Sequence, residues 1–420
     1  MKDQVFSVLQ SGFTVPVRDP LWGHVYFTPD LYALAESAPF MRLSRIFQLG
    51  PAYCVYTGAT HTRASHSIGV YYLARRLLIN LCEKGVSWLS PAGALSFLCA
   101  ALLHDLGHFP YAHSLKELAL EDHETLSGRI ILAEPLKSLL GRAGADPEFT
   151  AAIIDKNRQT HPNGDTELEF YRRLLSGVLD PDKLDYLNRD ARYCGVPYGA
   201  QDVDFIYSRL FPHKERGVEI DSRGIPSVES ILFSKYLMYS TVYWHRQVRS
   251  ATAMIKKALL GALEQGIIVP EELYNLDDQG LFSLMAAKQR NFPQFSIAES
   301  VREGRLYTEI ASFFFDGQKH NSLLPIEKRR AQEIALTEEI NRVCSLTISP
   351  DSIIIDVPEP VSFETDLFVR DENCTFGDSS SAFKKSVVDA FVLSLRKIRI
   401  LSEKNLKIPK TILQNYKFTI

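Results

Sequence analysis

The run SPAGALSFLCAALLHDLGHFP, residues 90–110, constrains this chain more than any other. From Pro91 to Leu103 it is almost wholly apolar, and it then meets His104 and Asp105 before Gly107 and Pro110 close it. Proline suits the first position of a helix, and a glycine followed by proline suits its end. A helix that is apolar on every side has to be buried among other elements. The stretch Leu89–Leu103 falls short of the roughly 20 residues needed to span a bilayer, so burial in a helical protein core is the expectation. His104 and Asp105 then stand at the rim of that core, where an unpaired carboxylate is costly. Imidazole nitrogen and carboxylate oxygen in such a place require a metal ion, a cation or several hydrogen bonds. Capping of a neighbouring helix by Asp105 is the plainer alternative.

Size and charge narrow the rest. At 420 residues the chain exceeds one ordinary core, so a large domain with a smaller appendage is expected. A formal net charge of -3 gives no overall reason to expect a nucleic-acid binder. The six cysteines are dispersed, without a Cys-x-x-Cys pair, and the start MKDQVFSVLQ has no signal-peptide core. The expectation is a cytoplasmic protein with no membrane segment.

Helical spacing dominates the first 180 residues. DLYALAESAPFMRLSRIFQLG reads as helix with Asp30 as N-cap, YCVY as a short extended run, and GATHTRASHS as a polar loop before a helix from Ser65 to about Leu81. Further helices are expected in HETLSGRIILAEPLKSLL, in FTAAIIDKN and from Glu167 to Val178. Asp180 and Pro181 form an N-cap and first-turn pair for a helix through DKLDYLNRDARY that stops before Gly195. GVEI reads as a strand, helix resumes from Ser227 to Gly266 and continues to about Val343, and LTISPDSIIIDVP is β-rich. SAFKKSVVDAFVLSLRKIRIL reads as a terminal amphipathic helix. A boundary near 345 divides the chain into 1–345, whose motifs lie within 48–200, and 346–420.

Six of the eleven histidines lie between residues 61 and 123: His61, His66, His104, His108, His113 and His123. Each taken singly is equally well read as a surface or capped histidine. In LDPDKLDYLNRD, a helix from Pro181 puts Asp182, Tyr186 and Asp190 on one face with Leu184 and Leu187 elsewhere. Alone, that segment reads as a solvated helix with acidic residues at its favourable end.

Together these segments are more specific. The ordered set His66, His104-Asp105 and Asp182 resembles the H...HD...D signature of HD-domain phosphohydrolases. QLGPAYCVYTGATHTRASHSIG, LLHDLGHFPYAHS, DHE and LDPDKLDYLNRDARYCGVPYG resemble, in order and spacing, the deoxynucleoside triphosphate triphosphohydrolase branch of that family, over roughly residues 15–265. The resemblance implies a mainly α, helical HD-domain fold with a smaller α+β C-terminal region. It implies one divalent ion (Mn, Mg, Fe, Zn or Ni) on His66, His104, Asp105 and Asp182. The implied chemistry is attack of metal-activated water on the α-phosphorus of a dNTP, releasing deoxynucleoside and inorganic triphosphate.

By matching position, the resemblance also implies that Arg63 and Lys183 contact phosphates, that Tyr186 and Asp190 hold the sugar, and that Gln48, with Leu49, lies beside sugar and base. His108, His113 and His123 match histidines around the α-phosphate. His123, followed by Glu124, is the first choice to protonate the leaving 5′ oxygen, and His113 the next. Lys116 departs from the pattern, standing where many relatives carry an acid, so that proton transfer uses Glu117 or Glu124 as the acidic partner or is weakened. In YWHRQVR, Trp244 also departs from it, and helix core is an equally good reading of Tyr243 and Trp244. The family further implies a nucleotide substrate, a nucleotide effector and a homo-oligomer.

Two other readings stand beside this one: a phosphatase or phosphodiesterase of a smaller phosphoester using the same ion, and a nucleotide-sensing regulator with weak catalysis. No Walker-type loop, Gly-x-Gly-x-x-Gly or Gly-x-Ser-x-Gly supports an ATPase, a dinucleotide oxidoreductase or a serine hydrolase.

Overall fold

The computed structural model describes residues 2–158, 166–380, 382–403, 406, 408–409 and 412–413. The apolar run forms the Pro91–Leu103 helix, capped by Ser90, whose side chain accepts from Gly93 N, and its residues from Phe97 to Leu103 are fully buried. It packs on the long Arg63–Glu83 helix, which also carries the Pro181–Cys194 helix on another side. Asp180 caps that last helix through Lys183 N, Pro181 occupies its first turn, and Gly195 ends it with a left-handed φ of 67°. Among the described residues no helix is long and apolar enough to cross a membrane.

The fold is mainly helical, with small sheets and a smaller α+β C-terminal region. Several local expectations are corrected. Thr28, not Asp30, caps the helix at Pro29–Ala35; Asp30 is in its first turn, because Pro29 already occupies the first helical position. A second short helix, Ala38–Leu43, follows it. The YCVY run is not extended: Gly50–Cys54 is a 3-10 turn started by Pro51. A hairpin of Val15–Asp19 and Gly23–Phe27, pairing Val15 with Phe27, precedes the first long helices.

Farther on, the helical run from 227 is split into Ile225–Met238 and Arg246–Glu264 by a π turn, Tyr239–Tyr243. Helical patterning does not continue unbroken to 343, since Thr308–Phe314 is a strand. The last amphipathic stretch is helix only over Lys385–Leu395; Lys397–Ser402 turns into a strand whose residues from Ile398 to Ser402 are buried, and Ser381 lies outside the described residues. That strand sits between Thr308–Phe314 and Ile353–Asp356, antiparallel to both, so residues on either side of 345 share one three-stranded sheet. GVEI is a strand, Gly217–Ile220, in a four-stranded sheet with Leu210–His213, Phe368–Val369 and Cys374–Thr375. Val361, Phe363, Leu367 and Leu395 belong to the same buried cluster as the Arg63 and Pro91 helices.

Candidate active site

The long helix begins at Thr62, whose side chain caps Ser65 N, and its first turn delivers Arg63 and His66. His66 is fixed from behind. Its Nδ1 lies 2.8 Å from Asp185 Oδ2, and Asp185 also receives Arg189 Nε at 2.8 Å and Trp22 Nε1 at 2.6 Å. Arg189 in turn donates to Asp19 Oδ2 at 2.9 Å, so a buried charged chain backs the imidazole. This packing needs Gly69. A Cβ there would stand 1.9 Å from Asp185 Oδ1 and 2.5 Å from Arg189 Nη2.

His104, just after the apolar helix, directs Nδ1 at Ala101 O, 2.9 Å away. Both imidazoles therefore turn Nε2 toward Asp182 Oδ1, at 2.9 Å for His66 and 3.8 Å for His104. One ligand atom from each of His66, His104 and Asp182 lies within 4.8 Å of the others. Asp105 stands beside this triple, with Oδ1 3.4 Å from His104 Nε2 and Oδ2 2.8 Å from Arg63 Nη1.

The electrostatics match a cation site. Burial opposes the Asp105 charge, but His104 and Arg63 outweigh it and hold the carboxyl well below the usual range. Burial likewise opposes Asp182, yet its hydrogen bond and charge interaction with His66 bring it down to about 2. For His66, burial disfavours the charge, and the hydrogen bonds to Asp182 and Asp185 overcome that to push it up to about 10. His66 Nε2 and Asp182 Oδ1 thus face each other as a charge pair, the place a cation would take. Two imidazoles with their far nitrogens already engaged, facing carboxylate oxygen, suit a divalent transition ion.

A second histidine group lies alongside. Gly107 lets it form, since a Cβ there would meet His123 O at 2.1 Å. That approach brings the start of the His123–Ile131 helix against His108, with ring centroids 4.0 Å apart. His113 arrives on the 3-10 turn Ala112–Leu115, entered through Tyr111 at a left-handed φ of 63°. His108 Nε2 is 3.1 Å from His113 Nε2 and 3.2 Å from Asp105 Oδ1. Burial, reinforced by the Arg63 charge, keeps His108 and His113 well below the usual histidine range. Burial also lowers His123 to about 4 against the pull of Asp105.

Both groups open into one cavity of about 590 Å³. Its wall carries Gln48, Leu49, Arg63, Lys183, Tyr186 and Asp190, together with His113, His123 and Glu124. His108 is fully buried behind His113 and His123. Lys183 Nζ is 2.8 Å from Asp180 Oδ2 and 3.2 Å from Glu364 Oε2. Asp190 is engaged at both oxygens, by His61 Nε2 at 2.8 Å and by the Tyr243 hydroxyl at 2.7 Å. Gln48 donates its backbone N–H to His61 O, and its side-chain oxygen is buried without a hydrogen-bond partner among the described residues. Burial raises Glu124, with Lys156 opposing. Glu117 is held by Lys256 at 2.6 Å and Arg329 at 2.7 Å and does not line the cavity, whereas Lys116 does.

Sequence reasoning missed several residues here. Asp185 carries a signal, a second carboxylate three residues after Asp182 on the same helix. Trp22 and Asp19 gave none, being more than 160 residues from their partners. Lys156, Lys235, Tyr239 and the segment Glu359–Ser362 also line the cavity. Trp244 is buried at the end of the π turn, and Tyr243 turns inward to Asp190.

A helical core with the His66, His104-Asp105 and Asp182 group at its rim is the arrangement of the HD class, and the chain belongs to the HD-domain superfamily: residues 63–189 match the HD domain and 209–384 the HD associated region. Among its relatives, the uncharacterised protein YwfO of Bacillus subtilis is 35% identical over 243 residues, 58% of this chain and 54% of that protein. The deoxynucleoside triphosphate triphosphohydrolase SAMHD1 of Bos taurus is 26% identical over 298 residues, 62% of this chain and 49% of that protein. The chain thus spans about half the length of these curated relatives. A phosphohydrolase from Bacteroides thetaiotaomicron shares the fold, with a TM-score of 0.71 at 23% identity over 93% of this chain and all of that one.

Proposed function

We propose that the protein is a metal-dependent phosphohydrolase that cleaves dNTPs to deoxynucleoside and inorganic triphosphate. The observation that carries this is the opening of the His66–His104–Asp182 group and the His108–His113–His123 group into a single cavity lined by basic and aromatic side chains. At about 590 Å³ the cavity falls in the range of roughly 300–1,000 Å³ typical of small-molecule sites. The likeness to SAMHD1 supports the nucleotide.

In this reading His66, His104, Asp182 and the adjacent Asp105 hold a divalent ion. When bound, the ion lowers the pKa of water and offsets charge on the phosphoryl oxygens. Arg63, fixed by Asp105, faces the phosphate nearest the histidines. Lys183 takes the chain of phosphates farther along, with Lys116 and Lys156 at the wall. Tyr186 and the Asp190–Tyr243 pair hold the sugar, and Gln48 offers its free oxygen to sugar or base. Burial and the Arg63 and Lys116 charges disfavour the protonated form of His123. A polyphosphate beside those cations offsets them, so His123 takes up a proton from solvent as substrate binds and passes it to the 5′ oxygen as the bond breaks. Free cysteines fit a cytoplasmic setting, and a homo-oligomer with a nucleotide effector follows from the family likeness.

Anion-exchange analysis of products, after incubating metal-loaded protein with each dNTP and rNTP with and without a second nucleotide, tests the proposal. Nucleoside with intact triphosphate is expected. Orthophosphate or a monoester as product would move the assignment to a smaller phosphoester, and no turnover under any combination would overturn the nucleotide reading.

A further inference from the structure

His108, His113 and His123 offer more than proton transfer. One ring nitrogen from each lies within 4.8 Å of the other two. His108 Nε2 and His113 Nε2 face each other at 3.1 Å, and the His113 and His123 ring centroids are 5.1 Å apart. Zinc–imidazole bonds of about 2.0–2.1 Å put neighbouring donor atoms roughly 3 Å apart, the spacing of the first pair. His108 is fully buried, and its Nδ1 has no hydrogen-bond partner among the described residues. Among the described residues its ring makes polar contacts with His113 and Asp105. His113 lines the cavity, which leaves an open position for water or a phosphate oxygen.

Asp105 ties this group to the first. Its Oδ1 stands 3.2 Å from His108 Nε2 and 3.4 Å from His104 Nε2, between the two histidine sets. Three imidazoles favour zinc, copper and nickel, whereas magnesium and calcium prefer oxygen.

We propose that His108, His113 and His123 form a second cation site, selective for zinc-like transition ions and sharing Asp105 with the first, and that filling it removes these histidines as proton donors. The second half rests on the hydrolase reading above; the first half does not. Zinc in excess is then an inhibitor of the protein, while excess magnesium is not. No bond is made or broken beyond metal–ligand bonds, and each imidazole binds through a nitrogen that is free of a proton.

The test is zinc stoichiometry by plasma mass spectrometry, after stripping the full chain with chelator and dialysing it against buffered zinc. Two ions per chain are expected in the wild type, and one in His113→Gln and in His123→Gln. The remaining ion, together with an unchanged circular-dichroism melt, reports that these variants fold. One ion in the wild type, or two retained in both variants, overturns the site. Where dNTP turnover is present, zinc beyond the first equivalent should slow it at least tenfold, and equal magnesium should not; faster turnover with the second zinc overturns the inhibitory role. Two zinc ions without any turnover would leave the site standing and remove the hydrolase reading instead.

Discussion

Asp185 Oδ2 sits 2.8 Å behind His66 Nδ1 and is itself fully buried, so the orientation of the His66 ring is set by a residue that never faces the cavity. Partners of this kind typically account for 10–100-fold in metal affinity. Asp185→Asn keeps the shape but weakens the hold on the ring, and isothermal titration with manganese should show affinity falling by that range. An unchanged affinity would show that His66 orients itself.

Asp182→Ala removes the carboxylate nearest both imidazoles and is expected to abolish metal-dependent hydrolysis while the protein stays folded. Asp105→Asn should do the same. It is preferable to alanine because Arg63 is buried against Asp105, and a buried guanidinium stripped of its partner costs about 3–5 kcal/mol. Full activity in either variant, measured by product chromatography, would remove the proposed ligand set.

Lys116 and Lys156 meet the cavity as exposed cations. Replacing both with alanine should raise KM for a nucleoside triphosphate about tenfold, equivalent to about 1.4 kcal/mol, with a smaller change in kcat. A kcat loss at constant KM would show that these lysines act on the transition state instead.

Gly69→Ala forces a methyl group into Asp185 and Arg189. A stability loss of about 1–3 kcal/mol is expected from such overpacking, read as a lower urea midpoint. Weaker metal binding should accompany it, since the displaced carboxylate is the one behind His66.

Asp278 accepts from Phe47 N at 2.8 Å, and burial raises its carboxyl to about 6 despite that hydrogen bond. The folded protein therefore holds a proton that the unfolded chain has released between pH 4 and 6, so this group costs stability as pH rises through that window. Asp278→Asn should stabilise the protein by about 1–2 kcal/mol at pH 7 and by nothing at pH 3.5. Urea titrations at the two pH values decide it, and an equal effect at both would show that charge is not the cause.

Local chemistry made the helices around the site legible. Pro91 and Pro181 with their serine and aspartate caps, and Gly195 beyond the last turn, mark ends that the chain itself enforces. The face shared by Asp182, Tyr186 and Asp190 followed from helical spacing, and all three line the cavity. Pairings across long stretches were not legible in that way. Trp22 and Asp19 reach Asp185 and Arg189 through the packing of an early hairpin, and no periodicity encodes that. Lys397–Ser402 has helical residues before it and becomes a strand because two other strands are there to receive it. YCVY has strand-like residues, yet Gly50 and Pro51 bend it locally into a 3-10 turn.

Glu359–Ser362, which line part of the cavity, lie far downstream of Asp182. On the ribosome, every candidate ligand of the first ion emerges well before this wall, by about ten to forty seconds at usual elongation rates of roughly 5–20 residues per second. During that interval the nascent chain carries its histidines and carboxylates without the segment that later encloses them. The ligands of the first ion thus meet solvent before the cavity has its last wall, and an ion can reach them during synthesis as well as afterwards.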